Sequence, residues 1–175
     1  PGTPCVLIVE DEQIVARDLQ AGLRAAGYFV PQPAATAEEG LRDVEHYRPD
    51  LVLLDIGLGG GTDGITLGRQ IHSRMDVPLV FATAYSDQKT LERAKAAEPA
   101  GYILKPYDVH EVRTVIEMAI YKHRADRAIR ISEERYRLLF EEMTAAFALH
   151  EMIFDENGKP CDYKFLKVNP AFERL

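Results

Sequence analysis

The chain has 175 residues, 46% of them apolar, enough for one full domain plus a fragment, and this excludes global disorder. Twenty-one Lys and Arg against 28 Asp and Glu give a net charge of −7, which argues against non-specific binding to nucleic acid or to an anionic membrane. Cys5 and Cys161 form no metal or redox spacing, and no uncharged run approaches a membrane span, so a reducing cytoplasm without membrane contact is expected. The chain begins at Pro1 without a methionine or a visible signal peptide, as a piece cut from a longer chain would.

Cys5 to Val9 is an apolar run that ends in Glu10-Asp11-Glu12. Ile14, Val15, Leu19, Leu23 and Ala26 follow at helical spacing, and Gly27 is placed to stop that helix. Tyr28 to Val30 is a short strand candidate. Thr36, with Glu39 three residues on, reads as a capping box for a helix carrying Ala37, Leu41 and Val44 and ending before Pro49. Leu51 to Leu54 is continuously apolar, the pattern of a strand buried on both faces, and it ends at Asp55 ahead of Gly57, Gly59, Gly60 and Gly61. Ile65, Leu67, Ile71 and Met75 mark a third helix.

Pro78 to Ala82 is another buried strand, ending at Thr83. Ser86 or Asp87 is expected to cap a helix through Leu91 and Ala94. Ala100 to Leu104 is a fifth strand, closed by Lys105-Pro106, and Val112, Val115, Ile116 and Ala119 open a fifth helix. Strand and helix alternate five times in roughly 120 residues, which predicts an α/β fold: a doubly wound, flavodoxin-like (βα)5 parallel sheet with right-handed crossovers. Residues 122–142 carry many Lys, Arg and Glu without Gly or Pro, and Ala125, Ile129, Ser132, Tyr136 and Leu139 recur every three or four positions. This predicts a long helix leaving the domain, of the kind that pairs with another helix. Phe147 to Phe154, the turn signal Asp155-Glu156-Asn157-Gly158 and the alternating Cys161 to Val168 follow. The last forty residues cannot close a core of their own.

Reactive crevices in open parallel sheets lie outside the carboxyl ends of the strands. Four strand ends deliver Glu10 and Asp11, Asp55, Thr83 and Lys105 to one edge. Three crowded carboxylates raise one another's pKa unless a cation neutralises them. Mg2+, with Mn2+ as its substitute, suits such oxygen ligands, and the carbonyl of Gly57 is placed to complete the set of Glu10, Asp11 and Asp55. A metal of this kind stabilises charge on a phosphoryl group, and a carboxylate can accept that group as an aspartyl phosphate. Asp55 is the acceptor candidate, Lys105 a point charge for one phosphoryl oxygen, and Thr83 a hydroxyl donor to another.

Together these pieces resemble the receiver domain of two-component response regulators. The matching stretches are Val-Glu-Asp-Glu at 9–12, Leu-Leu-Asp-Ile at 53–56, Gly-Thr-Asp-Gly-Ile at 61–65, Ala-Thr-Ala at 82–84 and Gly-Tyr-Ile-Leu-Lys-Pro-Tyr at 101–107. The resemblance implies that Asp55 takes its phosphoryl group from a histidine kinase or histidine phosphotransfer protein. It implies Glu10 and Asp11 as Mg2+ ligands, Thr83 and Lys105 as phosphoryl contacts, and a cis Lys105–Pro106 bond. It also implies a switch in which Thr83 moves and Tyr102 turns inward, changing the face near Lys89 to Lys95 and Tyr102 to Val115. From Glu133 the chain resembles the start of a PAS sensory domain, on Ser-Glu-Glu-Arg-Tyr-Arg-Leu-Leu-Phe-Glu and Val-Asn-Pro-Ala-Phe-Glu-Arg-Leu. The expected organisation is a receiver at 1–122, a signalling helix at 123–142 and a truncated, α+β PAS start at 143–175, with homodimerisation through the helix.

Two rivals stand beside this reading. A haloacid-dehalogenase-type phosphatase also uses an aspartyl nucleophile, but its second Asp two residues on is missing after Asp55. A pseudo-receiver scaffold that is never phosphorylated has no need of the full residue set. His46, His72, His110, His123 and His150 read as surface or packing histidines, and the glycines at 57–61 lack the Lys-Ser or Lys-Thr of a nucleotide loop, so the donor is expected to be another protein.

Overall fold

The computed structural model of the chain describes residues 2–59, 61–84 and 88–174, with the backbone alone at 88–91. The elements run β1 (Val6–Val9), α1 (Gln13–Ala25), α2 (Ala37–Tyr47), β2 (Leu51–Asp55), α3 (Gly64–Arg74), β3 (Leu79–Ala84), α4 (Gln88–Lys95), β4 (Gly101–Lys105) and α5 (Val109–Glu142). They continue with β5 (Ala148–Phe154), β6 (Pro160–Val168) and α6 (Pro170–Glu173). Two compact units divide the chain, Pro1–Ala125 and Asp126–Leu175.

In the first unit β1 to β4 form one parallel sheet in that order, with Val9 opposite Leu54 and Asp55 opposite Ala82. The apolar runs are buried on both faces because alternate residues serve two cores. Leu7, Val9, Val52, Leu54, Leu79 and Phe81 pack against Val44 of α2 and Ile65, Leu67 and Ile71 of α3. Val6, Ile8, Leu51, Leu53, Val80 and Ile103 pack against Leu19 and Leu23 of α1 and Val112 and Ile116 of α5. Burial of a side chain of this size contributes about 1.5–3 kcal/mol, so these two layers hold the strand ends in place.

The expected strand at Tyr28 to Val30 is reduced to two parallel bridges, Cys5 with Phe29 and Val9 with Ala34. Phe29 and Ala34 each exchange two main-chain hydrogen bonds with the β1 edge. Between them stand Pro31 and Pro33, which have no N–H to give, so the ladder is interrupted there. Counting this edge, the spatial order is the one that puts the crevice at the β1–β2 switch point.

Helix ends follow local chemistry. Thr36 Oγ1 accepts from Glu39 N at 3.2 Å, and Glu39 reaches back to Ala35 N at 2.8 Å, one residue before the position expected of it. Gly27 adopts φ 93° and its N–H bonds the carbonyl of Arg24, closing α1. The expected caps Ser86 and Asp87, and Gly60, lie outside the described residues, as do the side chains of Lys89 and Leu91.

The fifth helix and the predicted long helix are one element of 34 residues. Its Val112, Ile116, Ala119 and Ile120 are buried in the first unit. In the second unit β5 and β6 pair antiparallel around a turn in which Asp155 accepts from the N–H groups of Asn157 and Lys159. Asn169 is fully buried and satisfied: its Oδ1 accepts from Phe147 N and Phe172 N, and its Nδ2 donates to Ala145 O. That set caps α6 and fastens it to the chain entering β5. Among the described residues no helix is long and apolar enough to cross a membrane.

Candidate functional site

Asp55 is the last residue of β2 and Glu10 follows β1 directly, so the Val9–Leu54 register sets them side by side at the sheet's carboxyl edge. Both are enclosed, at 3% exposure for Glu10 and 8% for Asp55, whereas Asp11 stands in solvent. Carboxylate oxygens of Glu10, Asp11 and Asp55 all lie within 4.8 Å of one another. Lys105, the last residue of β4, reaches across: its Nζ donates to Glu10 Oε2 at 2.6 Å and to Asp55 Oδ2 at 3.0 Å. The Lys105–Pro106 peptide is cis.

Main-chain donors orient the acids. Gly57 N donates to Asp55 Oδ1 at 3.2 Å, Gly59 N to Asp11 Oδ2 at 3.0 Å, and Glu12 N to Glu10 Oε1 at 3.2 Å. Burial lifts the Glu10 carboxyl above its ordinary value, a push that the Lys105 hydrogen bond opposes. For Lys105 burial works toward a lower pKa, but the hydrogen bonds and charges of Glu10 and Asp55 outweigh it and the ammonium is held well above its usual range. Three carboxylates against one ammonium leave two negative charges, which matches a divalent cation, and the donor set is all oxygen. The residues present therefore fit Mg2+ or Mn2+.

Thr83 is one position beyond the Asp55–Ala82 pair, buried at 7% exposure, and its hydroxyl donates to the carbonyl of Ala84 at 2.8 Å. The structure thus unites Glu10, Asp11, Asp55 and Lys105, and sets Thr83 beside them with its hydroxyl turned to its own strand. Tyr102 on β4 packs inward against Phe81, ring centroids 6.2 Å apart. Its hydroxyl is buried without a hydrogen-bond partner among the described residues. Burial raises its pKa.

Tyr107 and the Asp63-Gly64 pair stand in the matching sequence stretches, but sequence reasoning gave them no individual role. Tyr107 lines a cavity of about 550 Å3 with Ile14, Val15, Leu19, Lys105 and Pro106, beside the acids. Burial pushes its phenol up to about 12. Asp63 caps α3 by accepting from Thr66 N at 2.8 Å, and it pairs with Arg93 of α4. The signal for the cap, an Asp just before an apolar helix, is present in the sequence.

A sequence model described as the response regulator receiver domain matches residues 6–117. The transcriptional regulatory protein PdtaR of Mycobacterium tuberculosis is 34% identical over 124 residues, 71% of this chain and 60% of its own length. The chain thus spans less than two thirds of that relative. The signal receiver domain of a modulated diguanylate cyclase from Desulfovibrio desulfuricans G20 superposes with a TM-score of 0.68 at 36% identity, covering 71% of this chain and 99% of that one. The N-terminal domain of a response regulator/sensory box/GGDEF 3-domain protein from Carboxydothermus hydrogenoformans gives 0.64 at 32%, covering 70% and 98%. With its acids, lysine and parallel sheet placed as described, the chain belongs to the receiver-domain family of two-component response regulators.

Proposed function

We propose that Asp55 accepts a phosphoryl group from a phosphohistidine of a histidine kinase or histidine phosphotransfer protein. The carboxylate oxygen attacks phosphorus, the P–N bond breaks, the imidazole leaves with the bonding pair, and an acyl phosphate remains on Asp55. The observation that carries this reading is the joint hold of Lys105 on Glu10 and Asp55 inside a cluster of three carboxylates. Glu10, Asp11, Asp55 and the carbonyl of Gly57 would hold Mg2+ or Mn2+, which supplies positive charge for the phosphoryl oxygens. Lys105 exchanges its bond to Asp55 for one to a phosphoryl oxygen. Thr83 gives up the Ala84 carbonyl and turns its hydroxyl to another. Tyr102 already packs inward against Phe81, so its buried hydroxyl repacks in place as Thr83 moves, and α4, β4 and the start of α5 present the changed surface.

The donor seats over the apolar cavity beside Lys105, where Ile14 is 81% exposed. The second unit opens a PAS sensory domain, and the helix that joins it to the receiver pairs with that of a second copy. Support for the pairing is the set of exposed apolar residues Tyr121, Ile129, Ile131, Leu138 and Leu139 along α5. The name of the Carboxydothermus protein, a response regulator joined to a sensory box, describes the same order of parts in that protein.

Acetyl phosphate with Mg2+ should label the chain once, at Asp55, and Asp55→Asn should remove the label while the far-ultraviolet spectrum is kept. An unlabelled but folded chain would make the scaffold reading correct.

A further inference from the structure

Gly64 is the first residue of α3, and it touches the main chain of the acceptor. A Cβ at this position would lie 1.9 Å from the carbonyl oxygen of Asp55, 2.8 Å from its carbonyl carbon and 3.0 Å from Ile56 Cα. Among the described glycines, Gly64 alone meets backbone. A Cβ on Gly22, Gly40 or Gly68 would meet side chains of Val109, of Val9 and Leu67, or of Phe81 and Leu79. A side chain has torsions of its own through which to give, at a cost where it is buried; the backbone at the end of a central strand has none. The contact is also bonded, because Gly64 N donates to Ile56 O at 3.2 Å.

Nor can α3 retreat. Its Ile65, Leu67 and Ile71 are buried in the core with β2 and β3. Its first turn is held by the Asp63 cap on Thr66 N, and Asp63 is tied to Arg93 of α4. Any atom added at Gly64 must therefore displace the Asp55–Ile56 peptide. That peptide sets where the Asp55 carboxylate stands relative to Lys105 Nζ, 3.0 Å away, and to Gly57 N, 3.2 Å away.

We propose that Gly64 is a positioning residue for the phosphoacceptor: its bare α-carbon lets α3 seat against the Asp55 carbonyl and so sets the depth of the carboxylate in the acidic cluster. This rests on the acceptor reading above.

The test compares Gly64→Ala with Gly68→Ala, four residues on in the same helix, using acetyl phosphate and Mg2+ over a range of acetyl phosphate concentrations. Misplacement of a reacting group by about 1 Å can cost about 100-fold, so Gly64→Ala should label slower by that order. The loss should fall on the maximal rate and leave the half-saturating concentration near that of the wild type. Gly68→Ala, whose Cβ presses on the buried rim of Phe81 and not on the acceptor's backbone, should lose stability but label far closer to the wild type than Gly64→Ala. In the wild type, BeF3− with Mg2+ should shift the 15N–1H resonance of Gly64 and leave that of Gly68 near its place, a readout that stands if Gly64→Ala does not fold. Equal labelling of both variants and the wild type, or a Gly64 amide indifferent to BeF3−, overturns the positioning role and leaves the acceptor reading intact. No labelling of the wild type overturns both.

Discussion

Lys105 decides the charge balance of the acidic edge. It bonds Glu10 at 2.6 Å and Asp55 at 3.0 Å with its side chain 21% exposed. Removing one partner of a buried ion pair costs about 3–5 kcal/mol, and the partial exposure of Lys105 scales this to about 1–3 kcal/mol for Lys105→Ala at neutral pH. The pH dependence follows from the raised Glu10 carboxyl, whose ordinary value is 4.5. A carboxyl whose pKa is higher folded than unfolded binds its proton more tightly in the fold. Its contribution is therefore greatest below about 4.5 and is lost as pH rises through the folded value. Without the ammonium that loss grows, so the stability deficit of Lys105→Ala should be largest at neutral pH and shrink on acidification through this window. Urea unfolding of both proteins from pH 4 to pH 8 measures it; a deficit independent of pH would mean that the lysine does not compensate Glu10.

Among the elements, α5 serves two environments with one continuous backbone. Its first turns bury Ile116 completely, while Ile129 is 57% exposed. Ile116→Ala should cost about 2–5 kcal/mol of the receiver's stability, because it opens a cavity against Leu23 and Leu53 of the same core. Ile129→Ala should stay within about 0.5 kcal/mol. Thermal unfolding of the receiver, followed by circular dichroism, separates the two; equal costs would place Ile129 in the same core. The edge beside β1 shows the opposite economy. Pro31 and Pro33 withhold donors from the ladder, and the segment is held instead by the main-chain bonds of Phe29 and Ala34 and by side-chain bonds of Gln20 and Arg24 to the Val30 and Pro31 carbonyls.

The whole chain consists of a unit with two closed hydrophobic layers and a unit whose β5 and β6 are largely exposed. Every residue of the acidic cluster belongs to the first. A fragment ending at Ala125 should fold with the thermal midpoint of the receiver transition in the full chain and label with acetyl phosphate at the same rate. Light scattering should find that fragment monomeric and the full chain dimeric. A monomeric full chain removes the helix-pairing proposal, and a fragment that cannot be labelled shows that the second unit is needed at the site.

Much of the receiver was legible locally. Leu51 to Leu54 is apolar at every position because both faces of β2 are covered, and burial of all four follows from that pattern. Thr36 with Glu39, and Gly27, declare helix ends through bonds to residues at most four positions away. Glu10, Asp55, Thr83 and Lys105 could be assigned to one edge because parallel strands all end on the same side. The tertiary structure alone decided where each side chain points. Lys105 spans 95 and 50 positions to reach Glu10 and Asp55, Thr83 bonds its own strand, and Gly64 lies against the Asp55 carbonyl. Periodicity and capping are properties of neighbours along the chain, so they are written in it. Close approach between distant segments depends on how two hydrophobic layers settle on the sheet, and no single stretch of sequence contains that information.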